Sequence, residues 1–208
     1  MKKIAIIGYS GHALVVAECL QQNDYEIVGY FEKEEVKFNP LNIIHLGFER
    51  DSDFINKTKN IFIFPSIGDN YIRRKIMTLL IDNNLSIATA IHPRANISKY
   101  TEIKEGTIIC QGACVNPFAK IGKGVIINTS SIVEHECVIS DFVHIAPGAV
   151  LAGNVFVGDN SFIGANSVIK QGVTIGENVI IGAGSVVIQN ILEKGIYVGS
   201  PAKKLKKY

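Results

Sequence analysis

Between residues 95 and 190 the apolar and polar positions of the chain repeat with a period of six. From Ile97 onward every sixth residue is aliphatic: Ile103, Ile109, Val115, Ile121, Ile127, Val133, Ile139, Ile145, Leu151, Val157, Ile163, Ile169, Ile175, Ile181 and Val187. Fifteen of these sixteen positions are β-branched, and no insertion breaks the count. Two residues ahead of each stands a small or β-branched residue, as at Ala95, Thr101, Thr107, Ala113, Ala119, Val125, Ser131 and Cys137. Three residues after it, eleven of the sixteen positions are Gly or Asn, the residues that best tolerate a left-handed backbone. Each hexad therefore predicts a short strand with one inward aliphatic, followed by a tight turn. Sustained over 96 residues, that period predicts a solenoid whose coils stack as parallel strands. Three hexads per coil give an 18-residue triangular turn and about five coils. At the ~4.8 Å spacing of neighbouring strands the stack is roughly 25 Å tall.

Ahead of the array the pattern changes. Residues 2–7 read as a strand, apolar from Ile4 to Ile7, that ends in Gly8-Tyr9-Ser10-Gly11-His12-Ala13. Apolar residues at helical spacing follow over 13–20, then a second strand over 26–31. Strand, glycine turn, helix and strand make a βαβ unit with a parallel pair. The turn would aim backbone N–H groups at an anion such as a phosphate. It reads G-x-x-G rather than the dinucleotide G-x-G-x-x-G, so a tight turn without a ligand is the competing reading. Residues 33–42 predict an exposed loop, and short strands are expected at 43–46 and 61–64. A turn over Pro65-Ser66-Ile67-Gly68-Asp69-Asn70 precedes a helix over 71–81. Arg73, Arg74 and Lys75 stand near that helix's start, where basic residues oppose the dipole. They indicate either a nearby anion or a solvated face. A last strand over 86–91 leads to His92-Pro93, which places a domain boundary there. The division is 1–92 for an α/β, Rossmann-like domain, 93–190 for the solenoid and 191–208 for a C-terminal tail.

Composition narrows the function. A net charge of +2 offers no concentrated basic face for nucleic acid. No apolar run approaches the ~18 residues of a membrane span, and the apolar start is too short for a signal peptide. Cys19, Cys110, Cys114 and Cys137 show neither metal-ligand spacing nor a disulfide framework. A soluble cytoplasmic protein with reduced thiols is expected.

Glu134-His135-Glu136 interrupts an otherwise lean repeat, and His144 follows nine residues later. A carboxylate beside a histidine can orient the imidazole and raise its basicity, which suits a general base near neutral pH. Acyl transfer from a thioester to an amine or hydroxyl needs such a base and a donor for the tetrahedral oxyanion. Simple strand alternation would point Glu134 and Glu136 away from His135, unless a coil corner breaks it. Nine residues are half a coil, so His135 and His144 are expected on opposite sides of one prism. If both serve one site, that site lies between subunits. A metal reading fits poorly, because His92, His135 and His144 are separated by 43, 9 and 52 residues rather than multiples of 18. Cys137 takes a small inward position, as a core residue would.

The hexads, and the C-terminal Tyr197-Val198-Gly199-Ser200-Pro201-Ala202-Lys203, resemble the bacterial hexapeptide-repeat acetyltransferases. Within that group the chain is similar to sugar acetyltransferases with a Rossmann-like N-terminal domain, which act on a UDP-linked 4-amino sugar or on sialic acid. The likeness runs through Gly8 to Ala13, Ile67-Gly68-Asp69-Asn70, Asn128 to Cys137, Ala152-Gly153-Asn154 and Gly199 to Lys203. It implies a left-handed parallel β-helix, an acetyl-CoA co-substrate, no metal and a homotrimer with its active site between subunits. It further implies His135 as catalytic base and Glu136 as the residue that raises its basicity. His144, Ala165 and Ala183 are implied as acetyl-CoA contacts, with Gly153 near the thioester. Ser10, Gly11, His12 and Gly68 are implied as nucleotide-sugar contacts. Glu32 and Lys33 hold the substrate position where many relatives carry paired Asp, which leaves the nucleotide base open. Lys203, Lys204, Lys206 and Lys207 could meet the CoA phosphates or form a solvated tail. The expected activity is N-acetylation of a nucleotide-activated 4-amino-deoxy sugar. The alternatives are O-acetylation of sialic acid or a related sugar, and a non-catalytic trimer that binds nucleotide sugars.

Overall fold

A computed structural model describes residues 1–205. The N-terminal βαβ unit forms as expected: β1 (Lys2–Ile7), α1 (Gly11–Gln21) and β2 (Tyr25–Phe31), with β1 and β2 parallel. After the short α2 (Phe54–Thr58), β3 (Phe62–Pro65) pairs in parallel on the other side of β1, giving the order β2-β1-β3. The strand expected over 43–46 is reduced to a single bridge, Tyr30 with His45, and the one expected over 86–91 to the bridge of Ile63 with Ile87 and the two-residue arm Ala90–Ile91. The first of them runs on only to the Glu32 N–H, which donates to the Gly47 carbonyl at 3.0 Å, and Gly47 itself has φ +112°.

The central strand reads as one apolar run because both faces of the sheet are covered. Ile4 and Ile6 pack with Ala13, Val16 and Leu20 of α1. Ala5 and Ile7 face the other way, towards Phe54 and towards Ile76 and Leu80 of α3 (Asn70–Asp82). Asp69 starts α3 by accepting from the Ile72 N–H at 2.8 Å, which satisfies one of the otherwise orphaned first-turn donors.

The hexads wind into a left-handed parallel β-helix of about six turns. Its two- and three-residue arms stack into three sheets, each arm pairing with the arm 18 residues on, as Ile108–Ile109 does with Ile126–Ile127. The inward aliphatics from Ile109 to Val187 form one continuous core with the small residues two positions ahead of them. Cys137 lies in that core as expected, and burial pushes its thiol pKa up. Most of the small residues that carry a hydroxyl donate to a backbone carbonyl: Thr107 to Gly122 and Ser131 to Asn128, both within 2.8 Å, while Ser185 Oγ accepts from the Gly199 N–H. At the third residue after the aliphatic, every corner from Gly106 to Gly184 has positive φ, including Phe118, Ser130, Glu136 and Phe142.

The helix is longer than the hexad count suggested. Its first arm is Ala90–Ile91, which pairs with Ile108–Ile109 ahead of His92-Pro93. Ile91 stands six residues before Ile97, so the period already covers it, and His92-Pro93 is a coil corner rather than the point where the prism begins. At the far end Gly195–Val198 pairs in parallel with Val179–Ile181 and carries the stack into the expected tail.

The N-terminal domain sits on the outside of one prism face. Outward-pointing Ile108 and Ile126 are buried in the same cluster as Ala13, Val16 and Leu20. Asn23, beyond α1, donates to the Ile91 carbonyl at 2.7 Å. The strongest pin is Arg73, only 1% exposed. Its Nε donates to the Gly124 carbonyl at 2.6 Å and its Nη2 to the Phe142 carbonyl at 3.1 Å, both on the prism. Nη1 reaches the Ile67 and Gly68 carbonyls at 3.0 Å, and Nη2 also reaches Asn70 Oδ1 at 2.8 Å. Arg73 thus neither faces solvent nor waits for an anion; carbonyl oxygens from both domains fill its donor fork.

Replacing Arg73 with Leu should leave those carbonyls buried without partners. A loss of at least about 3 kcal/mol is expected, since hydrogen bonds from a charged donor contribute roughly 1.5–3 kcal/mol each. Calorimetry should show the domains uncoupling into two transitions, and Arg73→Lys should rescue little because an ammonium lacks the planar fork.

Candidate active site

The corner after the Ile132–Val133 arm carries the Glu-His-Glu segment. Glu136 takes the left-handed conformation there, φ +61°. That reversal of chain direction returns its carboxylate to the preceding residue: Glu136 Oε2 lies 3.1 Å from His135 Nδ1. An ionised carboxylate only accepts, so Nδ1 carries the proton and Nε2 presents a free lone pair. The arrangement is open to solvent, with the His135 side chain 49% exposed. Glu134 makes no such contact; its N–H continues the ladder to the Leu151 carbonyl.

Gly153 lies one coil beyond His135, and the Asn154 N–H donates to the His135 carbonyl at 2.8 Å. The imidazole rests on Gly153. A Cβ there would come within 2.4 Å of His135 Cε1 and 2.5 Å of Nε2, so any other residue would push the ring out of this position. The Gly153 N–H donates no hydrogen bond among the described residues.

Ala165 and Ala183 occupy another corner column, joined by the Gly184 N–H to the Ala165 carbonyl at 2.8 Å. The column is packed from behind: a Cβ at Gly164 would meet the Ala183 nitrogen at 2.6 Å. Between this column and that of His135 and Gly153 runs the sheet built from arms such as Val150–Leu151 and Val168–Ile169. Within one chain the two sets bracket a face rather than converge. Lys204, in the C-terminal strand, is paired with Glu193, and Lys206 and Lys207 lie outside the described residues.

His144 opens an arm on the face that receives the N-terminal domain. Its ring stands 6.4 Å from that of His12 and 4.9 Å from that of Phe162, edge on. Nε2 lies 3.1 Å from Asn128 Nδ2, an amide donor, while Nδ1 is buried without a hydrogen-bond partner. His12 Nε2 is buried and unpartnered in the same way. Burial first, and then the Arg73 charge, pushes the pKa of His12 down to about 4. His144 falls to about 3 through burial, then Arg73 and His12, with the Gly68 carbonyl acting the other way. Both are therefore neutral at neutral pH.

The glycine turn lies at the carboxyl ends of β1, β2 and β3, where open parallel sheets place their ligands. Gly8, φ +87°, turns tightly against Ile67. Ser10 begins α1 without a side-chain capping bond, which leaves first-turn N–H groups free. A cavity of about 210 Å³ opens there, lined by Gly8, Ser10, Glu32, Glu49 and Ile67 among others. Glu32 Oε2 accepts from the Tyr9 N–H at 3.3 Å. Burial, and then the charge of Glu32, hold the Glu49 carboxyl above its usual pKa. A Cβ added at Gly68 would lie 4.0 Å from His12 Cβ, so those two residues are neighbours; Ser10 and Glu32 line the cavity, and Gly11, His12 and Gly68 do not. Lys33 is exposed and does not line the cavity. Glu49 was missed in the sequence, where a lone Glu after a Gly-Phe turn carries no motif. Among the described residues no group of three or more His, Cys, Asp or Glu side chains is placed to hold a metal ion. None of the helices among them is long and apolar enough to cross a membrane.

Two family descriptions match the chain: the PglD N-terminal domain over residues 3–80, and the bacterial transferase hexapeptide, six repeats, over residues 154–189. UDP-N-acetylbacillosamine N-acetyltransferase of Bacillus subtilis is 31% identical over 111 residues; that match spans 52% of this chain and about half, 51%, of the relative. A His-to-Asn variant of perosamine N-acetyltransferase from Caulobacter crescentus, in complex with CoA and GDP-perosamine, superposes with a TM-score of 0.94. It is 31% identical, over 100% of this chain and 98% of that one. The acetyltransferase domain of PglB from Neisseria gonorrhoeae, in complex with acetyl coenzyme A, gives a TM-score of 0.92 at 31% identity, over 98% and 99% of the two chains.

The buried neutral histidines make the domain seam acid-sensitive. Unfolding releases both to their ordinary pKa near 6.5, so the unfolded chain takes up protons that the folded chain refuses. Stability should fall as pH drops from 6.5 towards 4, by up to about 1.4 kcal/mol per pH unit for each histidine. Urea midpoints measured across that range should show the slope, and His144→Asn should reduce it by about half.

Proposed function

Because the chain belongs to the hexapeptide-repeat sugar N-acetyltransferases that carry a PglD-type N-terminal domain, we propose that it moves an acetyl group from acetyl-CoA to the amino group of a nucleotide-activated 4-amino-deoxy sugar. The observation that carries this reading is the His135–Glu136 pair, with Nδ1 held at 3.1 Å by the carboxylate and Nε2 free beside Gly153. The acceptor amine attacks the thioester carbonyl directly. His135 Nε2 takes the proton that the nitrogen sheds as the new C–N bond forms. Collapse of the tetrahedral intermediate breaks the C–S bond, and the imidazolium returns its proton to the departing CoA thiolate. The unused Gly153 N–H is the donor for the oxyanion. Glu136 neither gives nor takes a proton; it holds the tautomer and opposes the transient positive charge on the ring.

The acceptor's nucleotide would lie at the glycine turn, its phosphates at the start of α1 and its ribose hydroxyls against Glu32. Ala165 and Ala183 would let the pantetheine arm run close to the backbone. His144 would contribute through the seam it occupies rather than as a second base. Because the base corner and the alanine column bracket one face, a second copy of the chain completes the site, and the active species is a homotrimer. Support for the substrate class comes from the relatives: both histidine variants of the Caulobacter enzyme are complexes with CoA and a GDP-linked amino sugar.

Turnover should be assayed with acetyl-CoA and a panel of UDP-, dTDP- and GDP-linked 4-amino sugars. His135→Ala should lose about 10²–10⁴-fold in kcat while still binding acetyl-CoA. Turnover of sialic acid with none of any amine would replace this reading with O-acetylation. Gly153→Ala should lose about 10²-fold in kcat, since it displaces the imidazole by an ångström or more, while melting temperature changes little. A fully active monomer in sedimentation would remove the shared site.

A further inference from the structure

At the carboxyl ends of its strands the first domain presents three chain segments in a row. β1 runs into Gly8, β2 into Glu32, and the segment bridged outside β2 through His45 runs into Gly47 and Glu49. Backbone hydrogen bonds fix the row. The Gly8 N–H donates to the Phe31 carbonyl at 2.9 Å, and the Glu32 N–H to the Gly47 carbonyl at 3.0 Å. A tight turn then sets Glu49: the Phe48 N–H donates to Asp51 Oδ2 at 2.8 Å and the Asp51 N–H to the Phe48 carbonyl at 3.0 Å. Two strand spacings, about 10 Å, separate Gly8 from Gly47, with Glu32 between them.

The cavity beside this row measures about 210 Å³, below the ~300 Å³ of pockets that enclose a whole drug-sized ligand, so it takes one part of a nucleotide. Ser10, Glu32 and Glu49 are its polar side chains, and among the described residues no Lys, Arg or His lines it. Ile67, Ile72 and Ile76 form an apolar wall, where Ile72 is left 49% exposed. Glu32 already accepts from the Tyr9 and Lys33 N–H groups, both at 3.3 Å. The donor that reaches the Glu49 carboxylate is its own backbone N–H. Carboxylates beside an apolar wall, with no cation, suit a flat ring whose edge donates. Uracil and thymine turn one N–H flanked by two carbonyl oxygens, which a carboxylate repels. Cytosine and adenine offer an amino group next to a ring acceptor. Guanine presents two adjacent donors, N1–H and the N2 amino group, at the spacing of a carboxylate's two oxygens.

We propose that the acceptor sugar is linked to guanosine diphosphate, with the guanine face on Ile67, Ile72 and Ile76 and its N1–H and N2 amino groups on the Glu49 carboxylate. This rests on the acetyltransferase reading above and adds Glu49 to it as a specificity-determining residue. Along the row the order is then diphosphate at the glycine turn, ribose at Glu32 and base at Glu49. Paired hydrogen bonds to an ionised carboxylate are strong and directional, so a base without both donors is rejected. Glu49 belongs to the first domain and His135 to the prism, so Glu49 acts on nucleotide binding rather than on the chemical step.

The test assays the wild type with acetyl-CoA and one 4-amino-deoxy sugar linked in turn to GDP, UDP and dTDP. The GDP-linked sugar should lead in kcat/KM by about 10²-fold or more. Calorimetry should show GDP binding roughly 10-fold more tightly than inosine diphosphate, which lacks only the N2 amino group. In Glu49→Gln the KM for the GDP-linked sugar should rise about 10-fold with kcat and the KM for acetyl-CoA unchanged, and the preference for GDP over inosine diphosphate should vanish. A merely structural Glu49 would weaken both diphosphates alike and keep their ratio, which overturns the assignment. A wild type that prefers the UDP- or dTDP-linked sugar, or binds the two diphosphates equally, also overturns it while leaving the acetyltransferase reading in place. A wild type that acetylates none of the three sugars defeats that reading instead, and the binding ratio of the two diphosphates still decides the role of Glu49.

Discussion

The structure depends on the backbone ladder between coils. The Ile108 N–H donates to Val125, Ile126 to Val143 and His144 to Ser161, each within 3.0 Å, and the pattern continues up the prism. From Ala90 to Val187 the ladder closes because each coil is 18 residues long and each inward position is filled by an aliphatic or a small residue; the last coil, from Val179–Ile181 to Gly195–Val198, closes with 16. Neighbourhood in space thus becomes neighbourhood at an interval of 18. That rule puts Gly153 above His135 and Phe118 below Glu136, although no local sequence signal links them.

The second constraint is the price of mounting one domain on the outside of another. An outward face of the prism had to turn apolar, at Ile108 and Ile126, and the polar backbone at its corners had to be satisfied from across the seam. Arg73 does this with two of its five hydrogen bonds, and burial lowers its pKa only to about 9, so it remains charged at neutral pH. Burial first, and then the charge of this guanidinium, keeps His12 and His144 neutral. Structural and functional groups are coupled here: the residue that joins the domains also adds to the burial that keeps two histidines of the seam uncharged.

Much of the site was legible because departures from a strict repeat stand out. Glu134-His135-Glu136 was conspicuous among Gly, Asn, Ser and Ala, and the need for a corner to bring a carboxylate onto His135 could be stated in advance. Other features were hidden by the same regularity. The count of sixteen hexads gave about five coils, where the structure has about six, because Ala90–Ile91 and Gly195–Val198 act as arms while flanked by residues that do not look like hexads. His92-Pro93 read as a boundary because Pro punctuates both linkers and coil corners. Arg73 read as an anion ligand or a solvated residue, since nothing local indicates that a helix's first turn will meet two prism carbonyls.

By itself the sequence determined the period, the inward stripe, the left-handed corners and the βαβ unit. Each of these is a property of residues close in the chain, governed by side-chain volume and allowed backbone conformations. Tertiary structure alone decided which prism face the first domain covers, that Arg73 is buried, that His12 faces His144, and that Glu49 joins Glu32 at the cavity. Those outcomes depend on desolvation and on the pairing of groups far apart in the chain, which no period of six contains.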